Sequence, residues 1–185
     1  MKLRSAILII ILILVATVGA LYYMGRLPIC ECGYVSLWYP EANGPQNSQQ
    51  IADPYTFTHL LHGLFFYLLL WLILPRRTPF LVRLIIAIGI ESAWEVLENT
   101  QMVINHYRSV TISLGYYGDT IINSVSDIIA MALAFIFASR VKVWMSIAVF
   151  VLIEIFLLFW IKDNLTINII MLVFPLEAIK NWQIN

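Results

Sequence analysis

The chain has 185 residues, of which 61% are hydrophobic and 12% are charged, and its formal net charge is zero. Soluble domains carry about 25% charged residues, so this composition excludes an ordinary soluble protein and predicts a membrane protein. The balanced charge and the lack of a basic tail exclude nucleic acid as a partner, because such binding depends on clustered Lys and Arg.

Six apolar stretches predict one all-α integral membrane domain over residues 1–185, a polytopic helix bundle of five to six spans. A helical span needs about 20 residues, and five stretches approach this length: 6–24, 58–74, 82–99, 120–139 and 143–161. A shorter stretch, 165–179, reaches only about 22 Å. It is interpreted as a short tilted sixth span, with a helix broken at Pro175 as the alternative. The first span is predicted to be an uncleaved signal anchor, with cleavage after Ala20 as the alternative.

Basic residues predict that the N-terminus is cytoplasmic, because short loops rich in Lys and Arg stay on that side. Under this threading the extracytoplasmic side carries Arg26, Arg108 and Lys162. The cytoplasmic side carries Lys2, Arg4, Arg76, Arg77, Arg83, Arg140, Lys142 and Lys180. The long segments 25–57 and 100–119 then lie outside, where function is expected.

Two predicted spans each carry a polar stripe near the outer end. In "ESAWEVLENT" the acids Glu91, Glu95 and Glu98 are spaced by four and three, which puts them on one face of a helix. In "THLLHG" the pair His59 and His62 is spaced by three and also shares a face. Both stripes enter the membrane from the same predicted side.

A third stripe opens the fourth predicted span. In "YGDTIINSVSD" the residues Asp119, Asn123 and Asp127 recur every four positions. Acids near the middle of a span cost roughly 2.5 to 3.5 kcal/mol each on insertion scales, so the three stripes must face one another or water. The sequence predicts an outward-facing polar cavity, with Arg108 as a counter-charge at its rim and Glu154 contributing to its interior.

The residues of this cavity are candidates for chemistry. The candidate catalytic residues are Glu91, Glu95, Glu98, Asn99, Arg108, Asp119, Asn123 and Asp127. The candidate metal ligands are His59, His62, Glu95 and Asp119, since mixed imidazole and carboxylate sets suit a divalent metal such as Zn or Mn. Without a metal, the same groups could act as general acid and base. The structural alternative is that they only join helices, through hydrogen bonds worth under about 2 kcal/mol each.

The outer loops add further candidates. Cys30 and Cys32 in "ICECG" could form a disulfide in a very small ring, remain thiols, bridge to another chain or hold a metal. The aromatic residues near the outer helix ends are interpreted as an interfacial belt: Trp38, Tyr39, Tyr55, Tyr116 and Tyr117. The polar segment "YPEANGPQNSQQIADPY" is predicted to cover the cavity as a lid.

Several segments carry a family resemblance: "RLPICECGYVSLW", "NSQQIADPYTFTHLLHGLFFYLLLWL", "ESAWEVLENT", "HYRSVTISLGYYGDTIINSVSDIIAM" and "DNLTINIIMLVFPLEAIKNWQ". Together they resemble an uncharacterised family of small multi-pass bacterial inner-membrane proteins. This resemblance implies location and topology without an activity. The order of a Glu-rich helix end, an Arg, and then Asp, Asn and Asp is also similar to VanZ-like proteins, which are associated with altered sensitivity to glycopeptide antibiotics.

Two functional classes fit these observations. One is a hydrolase or transferase that acts on a lipid or lipid-linked headgroup at the outer leaflet. The other is a proton- or ion-coupled transport module, in which acids within the membrane relay an ion. A non-catalytic envelope protein with a structural polar network is a third interpretation. Access from only one side of the membrane favours the enzyme.

Overall fold

The protein is all-helical in a computed structural model that describes residues 2–184, as the sequence predicts. Met1 and Asn185, the ends of the predicted 1–185 domain, lie outside the described residues. The described part contains eight helices: α1 (Leu3–Tyr23), α2 (Thr56–Ile73), α3 (Phe80–Glu98), α4 (Gln101–Val110), α5 (Ile121–Ala138), α6 (Val143–Ile161), α7 (Leu165–Val173) and α8 (Glu177–Ile184).

Four of the described helices are long and apolar enough to cross a membrane: α1, α2, α5 and α6. This is fewer than the five to six spans predicted. Helix α3 has 19 residues but is too rich in ionisable side chains to qualify by composition. It packs against α1, α2 and α5, which shield its buried acids from lipid.

The last apolar stretch does not form the single span predicted for 165–179. Helix α7 has nine residues, which rise only about 14 Å. The helical structure is interrupted around Pro175, and α8 begins after it. Helix α8 then lies beside α4, where Lys180 donates from Nζ to the carbonyl of Ser109 (3.0 Å). Lys180 therefore lies at the same end of the bundle as α4, whereas a sixth span would have placed it beside Lys2.

The centre of the bundle is the pair α2 and α5, which meet along a close contact at Gly63. A Cβ at this position would lie 2.7 Å from the Cβ of Ala134 and 2.8 Å from the backbone nitrogen of Phe135. One end of the bundle, where α2 ends and α3 begins, has an apolar core that includes Leu70, Leu84 and Phe135. The buried polar side chains of α2, α3 and α5, other than Arg83, consequently lie at the opposite end.

We expect Gly63→Ala to lower the free energy of unfolding by about 1 to 3 kcal/mol, because the added methyl group forces α2 and α5 apart. Gly89→Ala in α3 is the matched control, since a Cβ there meets no atom within 4 Å and alanine favours a helix by about 1 kcal/mol over glycine. Thermal unfolding in detergent measures both. Equal effects of the two substitutions would contradict a close contact at Gly63.

Candidate functional site

His59 lies at the centre of the polar cluster, where α2, α3 and α5 meet. Its Nδ1 lies 2.6 Å from Oε1 of Glu91 and 3.4 Å from Oε1 of Glu95. Its Nε2 lies 3.8 Å from Oδ2 of Asp127. All four side chains are buried. One imidazole therefore faces carboxylates from two other helices.

His62 shares the Glu91 carboxylate with His59. Its Nδ1 lies 3.0 Å and 3.1 Å from the two carboxylate oxygens of Glu91, and its ring stacks on Phe66 and meets Trp94 edge-on. The spacing of three places both imidazoles on the same side of α2, as the sequence predicts. Glu91 therefore orients both rings at once.

Glu95 differs from Glu91 in its hydrogen bonding. Both residues are 0% exposed, but neither Oε1 nor Oε2 of Glu95 has a hydrogen-bond partner among the described residues. Oδ1 of Asp127 is also without one. Buried carboxylates normally accept hydrogen bonds or bind a cation, so Glu95 has unused capacity for a proton or a ligand.

Asp119 is held by a separate set of partners. Its Oδ2 accepts a hydrogen bond from Nδ2 of Asn99 (2.7 Å), and its backbone amide donates to Oδ1 of Asn99 (2.7 Å). Its Oδ1 accepts from the hydroxyl of Tyr116 (3.0 Å). These bonds tie the end of α3 to the start of α5.

The structure does not assemble the metal ligand set predicted from the sequence, in which Asp119 joins Glu95 and the two histidines. Within residues 2–184, two other groups have ligand atoms within 4.8 Å of one another. One consists of His59, His62 and Glu91, and the other of His59, Glu95 and Glu98. Asp119 belongs to neither group because Asn99 and Tyr116 hold it at the ends of α3 and α5.

A cavity of about 440 Å³ opens beside the cluster. Its polar wall includes six of the predicted candidates: His59, His62, Glu98, Asp119, Asn123 and Asp127. Its apolar wall includes Phe65, Phe66, Ile90, Trp94, Ile169 and Leu172. Glu91 and Glu95 lie behind the polar wall. The cavity therefore suits a molecule with a polar and an apolar part.

The loop before α2 contributes buried polar residues that the sequence did not single out. Nδ2 of Asn123 donates to the carbonyl of Gln50 (3.0 Å) and lies 3.5 Å from Oδ2 of Asp53, while the amide of Thr120 donates to the carbonyl of Ser48 (3.0 Å). Burial raises the pKa of Asp53, although amide hydrogen bonds partly offset this. The segment is thus built into the start of α5, and only its edge lines the cavity.

Three tyrosines line the cavity, and the sequence predicted two of them, Tyr55 and Tyr116, as part of an interfacial belt. The hydroxyl of Tyr55 donates to Oδ2 of Asp163 (3.1 Å). The hydroxyl of Tyr107 accepts from Nδ2 of Asn168 (2.6 Å). Tyr55 and Tyr116 therefore belong to the site, and their position next to polar helix ends was the only sequence signal for this.

Asp163 gives the site a pH dependence that we expect to see in stability. Burial raises the pKa of Asp163 from 3.8 to about 6, because the fold favours the protonated carboxyl. The contribution of the protonated form to the free energy of unfolding is complete below about pH 4 and is lost as the pH rises through 6. Asp163→Asn should gain stability relative to the natural protein over this interval, by up to about 3 kcal/mol. Unfolding temperatures of both proteins from pH 4 to 8 test this, and parallel curves would contradict it.

Two predicted members of the site lie elsewhere. Arg108 is exposed and donates from Nε to the carbonyl of Leu114 (3.0 Å), and it forms no ion pair with an acid among residues 2–184. Glu154 does not enter the cavity. Its carboxylate accepts hydrogen bonds from the amides of Leu165 (2.9 Å) and Thr166 (3.2 Å), which satisfies the free amides at the start of α7.

Cys30 and Cys32 form a disulfide, which was the first of the alternatives open from the sequence. Cys30 is buried, and the amide of Ile121 donates to the nearby carbonyl of Leu27 (2.8 Å). The disulfide therefore belongs to the loop that packs on the start of α5. Neither cysteine is a member of the two groups of candidate ligands.

Residues 21–185 match the family described as protein of unknown function DUF2585. The chain is similar to UPF0314 proteins of Agrobacterium fabrum (50% identity over 171 residues, 92% of this chain and 86% of the relative) and Paracoccus denitrificans (49% over 172 residues, 93% and 89%). It is also similar to a UPF0314 protein of Sphingopyxis alaskensis (51% identity over 171 residues, 92% of this chain and 90% of the relative). No solved structure matches significantly. The similarity to VanZ-like proteins stays a prediction.

Proposed function

We propose that this chain, which belongs to the DUF2585 family of proteins of unknown function, is a membrane-embedded hydrolase or transferase. Its substrate would be a lipid or lipid-linked molecule whose headgroup enters the polar cluster. The observation that carries this proposal is the combination of buried His and carboxylate groups with an amphipathic cavity among apolar helices. Neither feature alone would favour a lipid substrate.

An apolar groove extends from the cavity and supports a lipid substrate. The groove holds about 320 Å³ between α2, the end of α5 and the start of α6. It shares Phe65 and Phe150 with the cavity, so the two spaces are adjoining. Its other lining residues are almost entirely apolar, including Leu68, Trp71 and Ile147. A headgroup in the cavity could therefore place its hydrocarbon chain in the groove.

The polar cluster offers the groups that acid and base catalysis needs. Glu91 contacts Nδ1 of His59, an arrangement that orients the ring and leaves its other nitrogen to exchange a proton. Asp127 lies next to that nitrogen and also lines the cavity, as does Asp119. We assign proton transfer to His59 with Asp127, and headgroup contacts to Asp119 and Asn123.

The distribution of basic residues supports the proposed orientation. The end of the bundle without the cavity carries seven basic residues: Lys2, Arg4, Arg76, Arg77, Arg83, Arg140 and Lys142. The cavity end carries four: Arg26, Arg108, Lys162 and Lys180. The excess favours a cytoplasmic N-terminus, in the bacterial inner membrane, with the cavity on the outer side.

An ion-coupled transporter is the less favoured function. Transport requires a polar route to both sides of the membrane. The half of the bundle below the cluster is instead filled by the apolar core around Leu84, Ile128 and Phe135. Among the described residues of that half, only Arg83 is both charged and buried. This packing argues for a site that opens at one end.

The proposal is tested by reconstituting the protein into vesicles of phosphatidylethanolamine and phosphatidylglycerol with extracted bacterial membrane lipids. Mass spectrometry then follows the lipid composition over time. We expect one lipid class to be converted by the natural protein and not by His59→Gln, while His106→Gln, at an exposed position, keeps full turnover. Unchanged lipids with the natural protein would argue against an enzyme, and equal turnover by His59→Gln would argue against the His59 cluster as its site.

A further inference from the structure

We propose that one divalent transition metal ion binds between His59, Glu95 and Glu98, at the junction of α2 and α3. The ion would serve the proposed enzyme, with His59 then acting as a ligand and Asp127 carrying the proton. Its binding does not depend on that activity. Imidazole and carboxylate ligands together suit Zn, Mn or Fe. Glu98 and His59 both line the cavity, so a ligand position left free by the protein would face the substrate space.

The spacing of the three side chains suits a metal. Their ligand atoms lie within 4.8 Å of one another. Ligands bonded to Zn at about 2.1 Å stand roughly 3.4 Å apart in tetrahedral geometry. The three ligand atoms are therefore close to the spacing that an ion requires. The residues come from helices that contact each other directly, so the backbone already holds the group together.

The second observation is the unpartnered carboxylate of Glu95. This side chain is 0% exposed, and both of its oxygens are without a hydrogen-bond partner within the described chain. Desolvating a carboxylate without such partners is costly. The alternative group of His59, His62 and Glu91 lacks this feature, because Glu91 already accepts contacts from both imidazoles. Glu91 therefore already has its partners, whereas the carboxylate of Glu95 has none.

The charge of the cluster also favours a cation. Every ion pair formed by the described residues involves a histidine, and none involves Lys or Arg. The carboxylates of Glu95 and Glu98 therefore have no permanent cation beside them. A divalent ion bound by these two carboxylates and a neutral imidazole would form a site with no net charge. Such a site is the form that a low-dielectric interior accepts most readily.

Metal content and affinity test the proposal without reference to activity. The protein is purified in detergent, stripped with chelator, and titrated with Zn or Mn alone, with elemental analysis of the protein before stripping. We expect about one ion per chain and an affinity lowered about 100-fold or more by Glu95→Gln. Glu177→Gln, at an exposed carboxylate, should bind as the natural protein does.

Two further variants test the ligand set. Glu98→Gln should weaken binding although Glu98 is only half-buried, which keeps the test valid if Glu95→Gln fails to fold. Asp119→Asn should lower the affinity less than Glu98→Gln does, since Asp119 contacts Glu98 but lies outside the group of ligand atoms. No uptake of either metal at millimolar concentration by folded natural protein would overturn the proposal. So would equal affinity in Glu98→Gln, or loss of the ion in Asp119→Asn with binding kept in Glu98→Gln.

Discussion

Replacing His59 by leucine is expected to lower the free energy of unfolding by about 3 to 5 kcal/mol. His59 contacts the carboxylates of Glu91 and Glu95 on α3 and approaches Asp127 on α5. Its removal leaves these buried acids facing one another without the imidazole between them. Thermal unfolding in detergent at neutral pH, followed by tryptophan fluorescence, measures the loss.

Two variants separate this effect from a general loss of packing. His62→Leu should cost less, because His62 contacts only Glu91 among the acids and is less buried than His59. Adding Glu95→Gln to His59→Leu should restore part of the lost stability, since it removes one of the uncompensated charges. A loss under about 1 kcal/mol for His59→Leu would show that the acids do not depend on the imidazole.

The polar stripes were predictable because helical spacing fixes which side chains share a face. Residues three or four apart lie on one side of a helix, so His59 and His62, or Glu91 and Glu95, had to point the same way. Desolvation then required the stripes of neighbouring helices to meet. The convergence of these polar faces at one end of the bundle was therefore predictable from helical spacing and from the cost of exposing acids to lipid.

The partners within the cluster were not predictable from spacing. Periodicity placed Asp119 and Asp127 on the same face at the start of α5. It could not show that the side chain of Asn99 forms hydrogen bonds with Asp119. That contact depends on how α3 ends and how the chain re-enters α5, which tertiary packing decides. The same holds for Glu98. The sequence made Glu98 and Asp119 equally good candidates, but only Glu98 has a ligand atom close to those of His59 and Glu95.

The predictions for Glu154 and for residues 165–179 failed for a different reason. An isolated acid in an apolar run, such as Glu154, gives the same signal whether it enters a cavity or caps a helix. Here it accepts from the first amides of α7, a helix too short to span. Hydropathy over 165–179 favoured one span because it counts the apolar residues on both sides of Pro175, whereas the alternative of a helix broken at Pro175 is the one that the structure bears out.

The most direct test of the central claim compares Glu91→Gln with Glu95→Gln. Unfolding temperatures are measured in metal-free protein, and metal binding and lipid turnover are measured after the metal is added back. The two glutamates lie one turn apart on α3 and are equally buried, but only Glu91 accepts hydrogen bonds from both histidines. If Glu91 supports the fold and Glu95 serves the site, Glu91→Gln lowers the unfolding temperature. Glu95→Gln keeps or raises it while abolishing metal binding and lipid turnover. Equal destabilisation by both variants, with turnover retained in Glu95→Gln, would show that the cluster is a structural polar network.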